Sequence, residues 1–281
     1  MPKVDPPSLF TAAPLPTAKL AAPETLACLR LIRSENVGPV AFRELINRYG
    51  GAQAALDALP EIIKRAGSRR HIRICPKSEA ESELAAADRA GAAPVFTIEP
   101  GYPPALAAIE APPPMLYVKG NLEILQKPGI AIVGSRMCSA AGAKLAHLFA
   151  SQLGAAGYLV VSGLARGVDG AAHRSALATG TVAVLAGGID IIYPPEHEVL
   201  YAEIAEQGCL VTEMAPGFKP RGQDFPRRNR IISGISLGVI IVEAAARSGT
   251  LVTARYAGEQ GRDVFAVPGH PLDPRAEGQT S

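Results

Sequence analysis

Cysteine is scarce and never paired. Cys28, Cys75, Cys138 and Cys209 lie far apart with no C-x-x-C, which excludes a disulfide framework and a spaced zinc site and fits reduced thiols of a cytoplasmic protein. No apolar run approaches the ~18 residues of a membrane span, and the N-terminus lacks the basic, apolar and small-residue blocks of a signal peptide. An excess of one charge is missing as well: 28 Lys and Arg stand against 26 Asp and Glu, so bulk charge does not argue for nucleic acid. Two nucleotide-binding signatures are also absent. No G-x-G-x-x-G follows the first strand of the α/β region, and its second strand ends at Ser162 with no acidic residue to hold a ribose; a dinucleotide cofactor is therefore not expected. No G-x-x-x-x-G-K-[ST] occurs, so P-loop hydrolysis is unsupported.

The chain does have enough apolar residues for a core, 48% of 281, sufficient for one large domain or a large and a small one. Residues 1–22, rich in Pro and Ala, read as a disordered tail. Residues 23–70 read as a small helical module of helix-hairpin-helix or sterile-alpha-motif type. Leu26, Leu29, Ile32 and then Phe42, Leu45, Ile46 recur at helical spacing, with Asn36-Val37-Gly38-Pro39 as the turn between. That turn either presents backbone amides to phosphate or simply joins two packed helices. Residues 71–128 read as a linker and extension packing on the core; the basic patch Arg69, Arg70, His71, Arg73 at the junction reads as solvated, and strands are expected at 95–98 and 115–119.

From residue 129 to about 272 the rhythm changes. Continuous apolar strands at 130–134, 158–162, 181–185, 209–212, 238–243 and 263–267 alternate with helical stretches at 140–156, 168–178, 196–206, a short one after Phe225, and 251–260. Such alternation argues for a Rossmann-like, doubly wound, mostly parallel α/β sheet covered on both faces. In the first of these helices Leu145, Leu148, Phe149 and Leu153 form the expected sheet-facing stripe. Residues 273–281 read as a disordered end or a truncation point.

In a doubly wound sheet the strand-to-helix turns share the carboxyl edge, where ligands bind. Four turns there contain glycine: Gly134-Ser135-Arg136, Ser162-Gly163-Leu164-Ala165-Arg166-Gly167, Ala186-Gly187-Gly188 and Arg247-Ser248-Gly249-Thr250. Small residues let backbone N–H groups approach an anion, and helix N-termini add a favourable dipole. Charge is concentrated nearby. Lys219, Arg221, Arg227, Arg228 and Arg230 against the lone Asp224 place five cations and one anion in residues 219–230, on a chain of net charge +2, as suits a row of phosphates. On a helix opened by Pro226 the three arginines 227, 228 and 230 span an arc of about 160°, too wide for one solvent face. At least one is expected to pack against a carboxylate such as Glu213 or Asp169, with Arg227 and Arg228 facing a ligand and Arg230 either structural or ligand-facing. Lys219 and Arg221 sit on a Gly/Pro loop that can track a flexible strand. Phe225 and Phe218 are the nearest aromatics, Phe225 as a stacking residue or a core anchor. Asp169 and His173, at i and i+4, are either a hydrogen-bonded pair or part of a metal site for which no third ligand is evident. Glu213 and Glu243, at strand ends, are either loop organisers or a general base.

These motifs, in this order, resemble a known family: Val133-Gly134-Ser135-Arg136; Ser162 to Asp169 with Ala172-His173; Gly188-Ile189-Asp190 leading to Tyr193-Pro194; Glu213; Phe225-Pro226-x-Arg228-Asn229-Arg230 to Gly234; Glu243-x₄-Ser248-Gly249-Thr250; and Val267-Pro268-Gly269. The region 95–270 strongly resembles DNA-processing protein A (DprA/Smf), and the upstream helical module is similar to that family's. The resemblance implies a non-enzymatic protein of natural transformation that binds and protects single-stranded DNA and loads a RecA-type recombinase, as a homodimer, without cofactor or metal. It implies that Gly134, Ser135 and Arg136 line a phosphate pocket, with Gly163, Arg166, Gly167, Lys219, Arg221, Phe225 to Arg230 and Ser248-Gly249-Thr250 beside it. The family normally continues beyond the position of Ser281, often into a winged-helix domain. Glu243 beside Ser248-Gly249-Thr250 keeps a rival reading open: a nucleoside-monophosphate hydrolase or nucleotide sensor on the same fold, although no P-G-G-x-G-T loop occurs.

Overall fold

The computed structural model describes residues 19–65, 73–244 and 248–268. The 1–18 and 269–281 segments, Arg69, Arg70, His71 and Arg247 lie outside the described residues. The chain is a four-helix module followed by a mixed, mostly parallel eight-stranded α/β sheet, and it separates into two compact units. Among the described residues no helix is long and apolar enough to cross a membrane.

The first unit holds α1 (Ala22–Arg33), α2 (Pro39–Tyr49) and α3 (Ala52–Arg65). Leu29, Leu31 and Phe42 are fully buried. Proline opens α1 and α2, where its missing N–H costs nothing. Gly50 ends α2 in the left-handed region at φ 77°. The Glu24 carboxylate then accepts the Ala52 N–H at the start of α3. At the turn after α1, Glu35 accepts from the Arg73 N–H at 3.1 Å and donates its own N–H to the Arg73 carbonyl at 2.9 Å. This carboxylate beside the turn works against a phosphate there. The helix α4 (Lys77–Arg89) leads from the first unit into the second.

In the second unit the strands are β1 (Ala93–Phe96), β2 (Met115–Gly120), β3 (Gly129–Gly134), β4 (Leu159–Ser162), β5 (Thr181–Val184), β6 (Cys209–Thr212), β7 (Ser236–Val242) and β8 (Asp263–Ala266), with a short α5 (Pro104–Ala107) between the first two. Their order in the sheet is β1-β2-β6-β5-β4-β3-β7-β8. β3 to β8 pair in parallel, and β1 and β2 extend the sheet antiparallel beyond β6. After β3 the chain builds outward through β4, β5 and β6, and only later returns to lay β7 against the other side of β3. The order therefore reverses between β3 and β7, and their carboxyl ends flank a switch-point crevice of the kind that binds ligands in open α/β sheets.

Alternation along the strands supplies two cores. Ile132, Val160 and Val242 pack with Ala146, Ala150, Val168, Ala172 and Ala176, from α6 (Ala140–Ala155) and α7 (Val168–Ala176). Ala131, Val133, Val161 and Ile241 pack on the other face with Ile231, Ile232, Ile235 and Ala257, from α9 (Asp224–Ile235) and α10 (Gly249–Glu259). The remaining helix, α8 (Glu198–Gln207), lies between β5 and β6 in the chain. Each fully buried Val, Leu or Ile contributes roughly 1.5–3 kcal/mol.

Two expectations are corrected here. The buried stripe of α6 is Gly142, Ala146, Ala150 and Gly154, not the leucine stripe; Leu145, Phe149 and Leu153 are only partly buried and Leu148 is 45% exposed. Close approach is the reason: a Cβ on Gly142 would sit 2.6 Å from the Glu243 carboxylate, and one on Gly154 would overlap the Thr179 side chain. The helix after Phe225 is not short either, but runs for 12 residues.

Candidate functional site: a cleft at the sheet's switch point

The turn after β3 forms one wall of an open cleft of about 420 Å³ at the β3–β7 switch point. Gly134 has no alternative, because a Cβ there would overlap the Val242 carbonyl of the neighbouring strand. The turn is tied on three sides. The Ser135 N–H donates to the Val242 carbonyl at 3.3 Å, the Ser135 carbonyl accepts from Val168 N–H at 3.2 Å, and Ser135 Oγ accepts from Met137 N–H at 3.2 Å. Arg136 projects from this turn, exposed, with its guanidinium carbon 5.5 Å from the Phe225 ring centroid. Just beyond, Glu243 adopts φ 53°, and its carboxylate accepts from both the N–H (2.8 Å) and the hydroxyl of Ser139, the residue that caps α6. The turns after β3 and β7 are thereby fastened together, with Glu243 occupied in that contact.

The N-terminus of α10 supplies the facing wall. Ser248, Gly249 and Thr250 line the cleft; Thr250 Oγ1 donates to the Gly134 carbonyl at 3.2 Å, and Asn229 Nδ2 to the Gly249 carbonyl at 3.1 Å. An 11-residue helix opening into a cleft beside an exposed arginine favours an anion there through its unsatisfied N–H groups and dipole. α9 contributes Phe225, Arg228, Asn229 and Ile232 to the lining.

Sequence reasoning misplaces the second glycine turn. Its three amides at 163, 164 and 165 point inward: Asp169 accepts from Gly163 N–H at 3.1 Å and Ala165 N–H at 3.3 Å, and His173 Nε2 accepts from Leu164 N–H at 3.3 Å. They are not offered to an outside anion. Leu164 stands at φ 57°, an unfavourable conformation for a side chain with a Cβ. His173 on one side and His197 on the other, whose Nδ1 meets the Leu164 carbonyl at 3.1 Å, hold it there. Because Nε2 must accept, the His173 proton sits on Nδ1 and is donated to Thr181 Oγ1 at 2.8 Å, which in turn donates to the Val160 carbonyl at 2.9 Å. Both ring nitrogens are engaged, so the Asp169–His173 pair is arranged for hydrogen bonding and not for a metal. Burial, reinforced by the nearby His197 and Arg228 charges, pushes the His173 pKa down to about 3.

Arg228, expected to face a ligand, lines the cleft but is largely buried, and Nη1 donates to the carbonyls of Gly163 (2.8 Å) and Val184. Burial lowers its pKa to about 10, opposed by Asp169, so it stays charged. Burial likewise pushes the Asp169 carboxyl up, while Arg228 and the two amides pull it down. The guanidinium clamps two strand ends. Arg230 pairs with Glu213, and the exposed Arg227 lies 3.6 Å from the same carboxylate.

The third glycine turn is roofed over: Gly187 packs against Pro220 and the Phe218 carbonyl, and Gly188 against the Ala215 carbonyl. A smaller cavity of about 40 Å³ adjoins the cleft through Arg136, Ala165, Phe225 and Arg228, and adds Gly163, Arg166, Tyr193 and Pro194. Arg166 is bridged to Glu196 at 2.6 Å. The structure therefore gathers Gly134, Ser135, Arg136, Gly163, Arg166, Phe225, Arg228, Asn229, Ser248, Gly249 and Thr250 around two adjoining cavities. Lys219, Arg221 and Arg227 lie exposed outside that lining, Arg230 is turned to Glu213, and Gly167 (φ 70°) packs beneath the Ser135 carbonyl. Sequence reasoning missed Met137 (84% exposed), Thr253 and Tyr193 as lining residues. Only Tyr193 carried a signal, as an aromatic in a Tyr-Pro pair.

Comparison with known proteins bears on this arrangement. The family model described as DNA recombination-mediator protein A matches residues 94–281, and a DprA-like N-terminal HHH domain matches residues 22–86. Protein Smf of Escherichia coli K12 is 49% identical over 180 residues, which is 63% of this chain and 48% of that protein, so the match spans about half of the relative's length. The solved DNA processing protein A of Streptococcus pneumoniae superposes with a TM-score of 0.68 at 35% identity, covering 82% of this chain and 75% of that one. DNA processing protein A of Helicobacter pylori, whose structure addresses its unique single-stranded DNA binding mode, gives a TM-score of 0.60 at 31% identity over 63% of this chain and 82% of that one. With the sheet order, the glycine turns and the family match all in agreement, this chain belongs to the DNA recombination-mediator protein A (DprA/Smf) family.

Proposed function

We propose that this chain binds single-stranded DNA by its phosphates along the switch-point cleft and, as a homodimer in the cytoplasm, passes it to a RecA-type recombinase without catalysing a reaction. The observation that carries the binding step is the convergence on one open cleft of the rigid Gly134-Ser135-Arg136 turn and the α10 N-terminus, with Arg166 lining the adjoining cavity. An open trough edged by cations suits successive phosphates of a strand better than one enclosed mononucleotide. Exposed Lys219, Arg221 and Arg227 extend the positive surface beyond it. The single-stranded DNA binding of the Helicobacter pylori relative supports the same ligand class. Recombinase loading, dimerisation and a role in transformation rest on the family resemblance.

The test is competition. A fluorescent dT oligonucleotide bound to the protein is challenged with unlabelled single strand, duplex of the same length, and AMP. Displacement by the single strand alone supports the proposal. Displacement by AMP at near-stoichiometric levels, or release of adenine from it, would move the reading to a nucleotide sensor or a nucleoside-monophosphate hydrolase. Stimulation of RecA-driven strand exchange tests the loading step separately.

A further inference from the structure

Arg166 lines the smaller cavity beside Arg136, yet it already has an anion. Its Nη2 donates to Glu196 Oε1 at 2.6 Å, and both side chains are 58% exposed. Such a pair on open surface is ordinarily loose, because holding two long side chains in one geometry offsets most of the Coulomb gain. Here both backbones are fixed. Arg166 stands between Ala165, whose N–H is held by Asp169 at 3.3 Å, and Gly167, packed against the Ser135 carbonyl. Glu196 lies in a single 3₁₀ turn (Pro195–His197) that proline opens and whose His197 N–H returns to the Pro194 carbonyl at 3.0 Å. The buried His197 staples the two segments together, its Nδ1 donating at 3.1 Å to the carbonyl of Leu164, two residues before Arg166. The Glu196 carboxyl is held below the usual range, first by a hydrogen bond from its own backbone N–H and then by Arg166, so it is charged at neutral pH. The fold thus presents a carboxylate to one of the arginines of the DNA site.

We propose that Glu196 is a built-in competitor for DNA: it occupies Arg166 in the free protein, is displaced by a phosphate when a strand binds, and recaptures the guanidinium when that phosphate leaves. This rests on the single-stranded DNA reading above. Carboxylate and phosphate use the same N–H donors of a guanidinium, and a carboxylate left beside a bound phosphate repels it. Glu196 therefore lowers the affinity and shortens the life of the complex. That suits a strand that is to be passed on and not kept.

The test follows a labelled dT oligonucleotide by fluorescence anisotropy, at equilibrium and during a chase with unlabelled strand. It compares the wild type, Glu196→Gln, Arg166→Ala and the double variant. Glu198→Gln, which neutralises an exposed carboxylate on the same segment, controls for net charge. Glu196→Gln is expected to bind about two- to fivefold tighter and to release the strand more slowly, and to do so only where Arg166 is present. The competitor is overturned if Glu196→Gln binds like the wild type, or if it binds more weakly, since the carboxylate would then be presenting Arg166 to DNA. It is equally overturned if the gain lies in association alone, persists in the Arg166→Ala background or is matched by Glu198→Gln. If the wild type binds no strand, the single-stranded DNA reading itself fails and the competitor goes with it.

Discussion

Acid should loosen this protein through one histidine. His173 is fully buried, with Nδ1 donating to Thr181 and Nε2 accepting the Leu164 amide. Burial, reinforced by the nearby His197 and Arg228 charges, disfavours a second proton, so the folded pKa falls to about 3 from an ordinary 6.5. A depressed pKa means that the unfolded chain takes up a proton the folded chain refuses. The stabilisation from keeping His173 neutral is complete above about pH 6.5 and is lost progressively as the pH falls through the window down to about 3. Between pH 7 and pH 5 the linkage amounts to about 2 kcal/mol, at about 1.4 kcal/mol per pH unit once the unfolded histidine is protonated. The chain has no tryptophan, so urea unfolding is followed by circular dichroism at both pH values. The wild type is compared with His173→Gln, which removes the titration while offering an acceptor to Leu164. The variant should be less stable at pH 7 but lose about 2 kcal/mol less than the wild type on going to pH 5. Equal losses in the two proteins would refute the reasoning, as would an NMR titration showing an imidazolium at position 173 at pH 5.

The neighbouring elements give further expectations. Gly134→Ala forces a methyl into the Val242 carbonyl and should cost at least about 3 kcal/mol in denaturant unfolding or prevent folding; a change below about 1 kcal/mol would show that the β3–β7 ends are not locked. Glu213→Ala leaves the largely buried Arg230 without its carboxylate and should cost about 2–3 kcal/mol, while the double variant Glu213→Leu/Arg230→Met recovers most of it. A neutral single variant would remove the pair from the account. Ser139→Ala deletes the α6 cap to Gly142 and the hydroxyl contact to Glu243 and should lower stability by about 1–2 kcal/mol. An unchanged urea midpoint would contradict that role.

The strands β3 to β7 were legible because a sheet covered on both faces demands continuous apolar runs such as Ile130 to Val133 and Gly238 to Val242. The glycine turns were legible because only glycine tolerates the approach at Gly134. The sheet-facing side of α6 was not, since hydrophobicity ranks leucine above alanine, whereas close packing selects the smallest side chains. Nor was the direction of Arg228. A charged residue in a basic cluster reads as solvent-facing until the fold brings Asp169 and two strand-end carbonyls around it. The inward turn of the 163–165 amides was hidden for a similar reason, because it depends on Asp169 and His173 folding back from α7 and on Leu164 accepting a positive φ. Tyr193 was present in the sequence as a Tyr-Pro pair, but its closeness to Phe225 is a tertiary fact.

The central claim is that the switch-point cleft holds DNA phosphates through Arg136. The most direct measurement is fluorescence anisotropy of a labelled dT oligonucleotide against the wild type and Arg136→Ala across a salt series. The account predicts steeply salt-dependent wild-type binding. Arg136→Ala should bind more weakly, with a log–log slope shallower by about 0.7 because one phosphate fewer is neutralised. Affinity and slope both unchanged in the variant would contradict it.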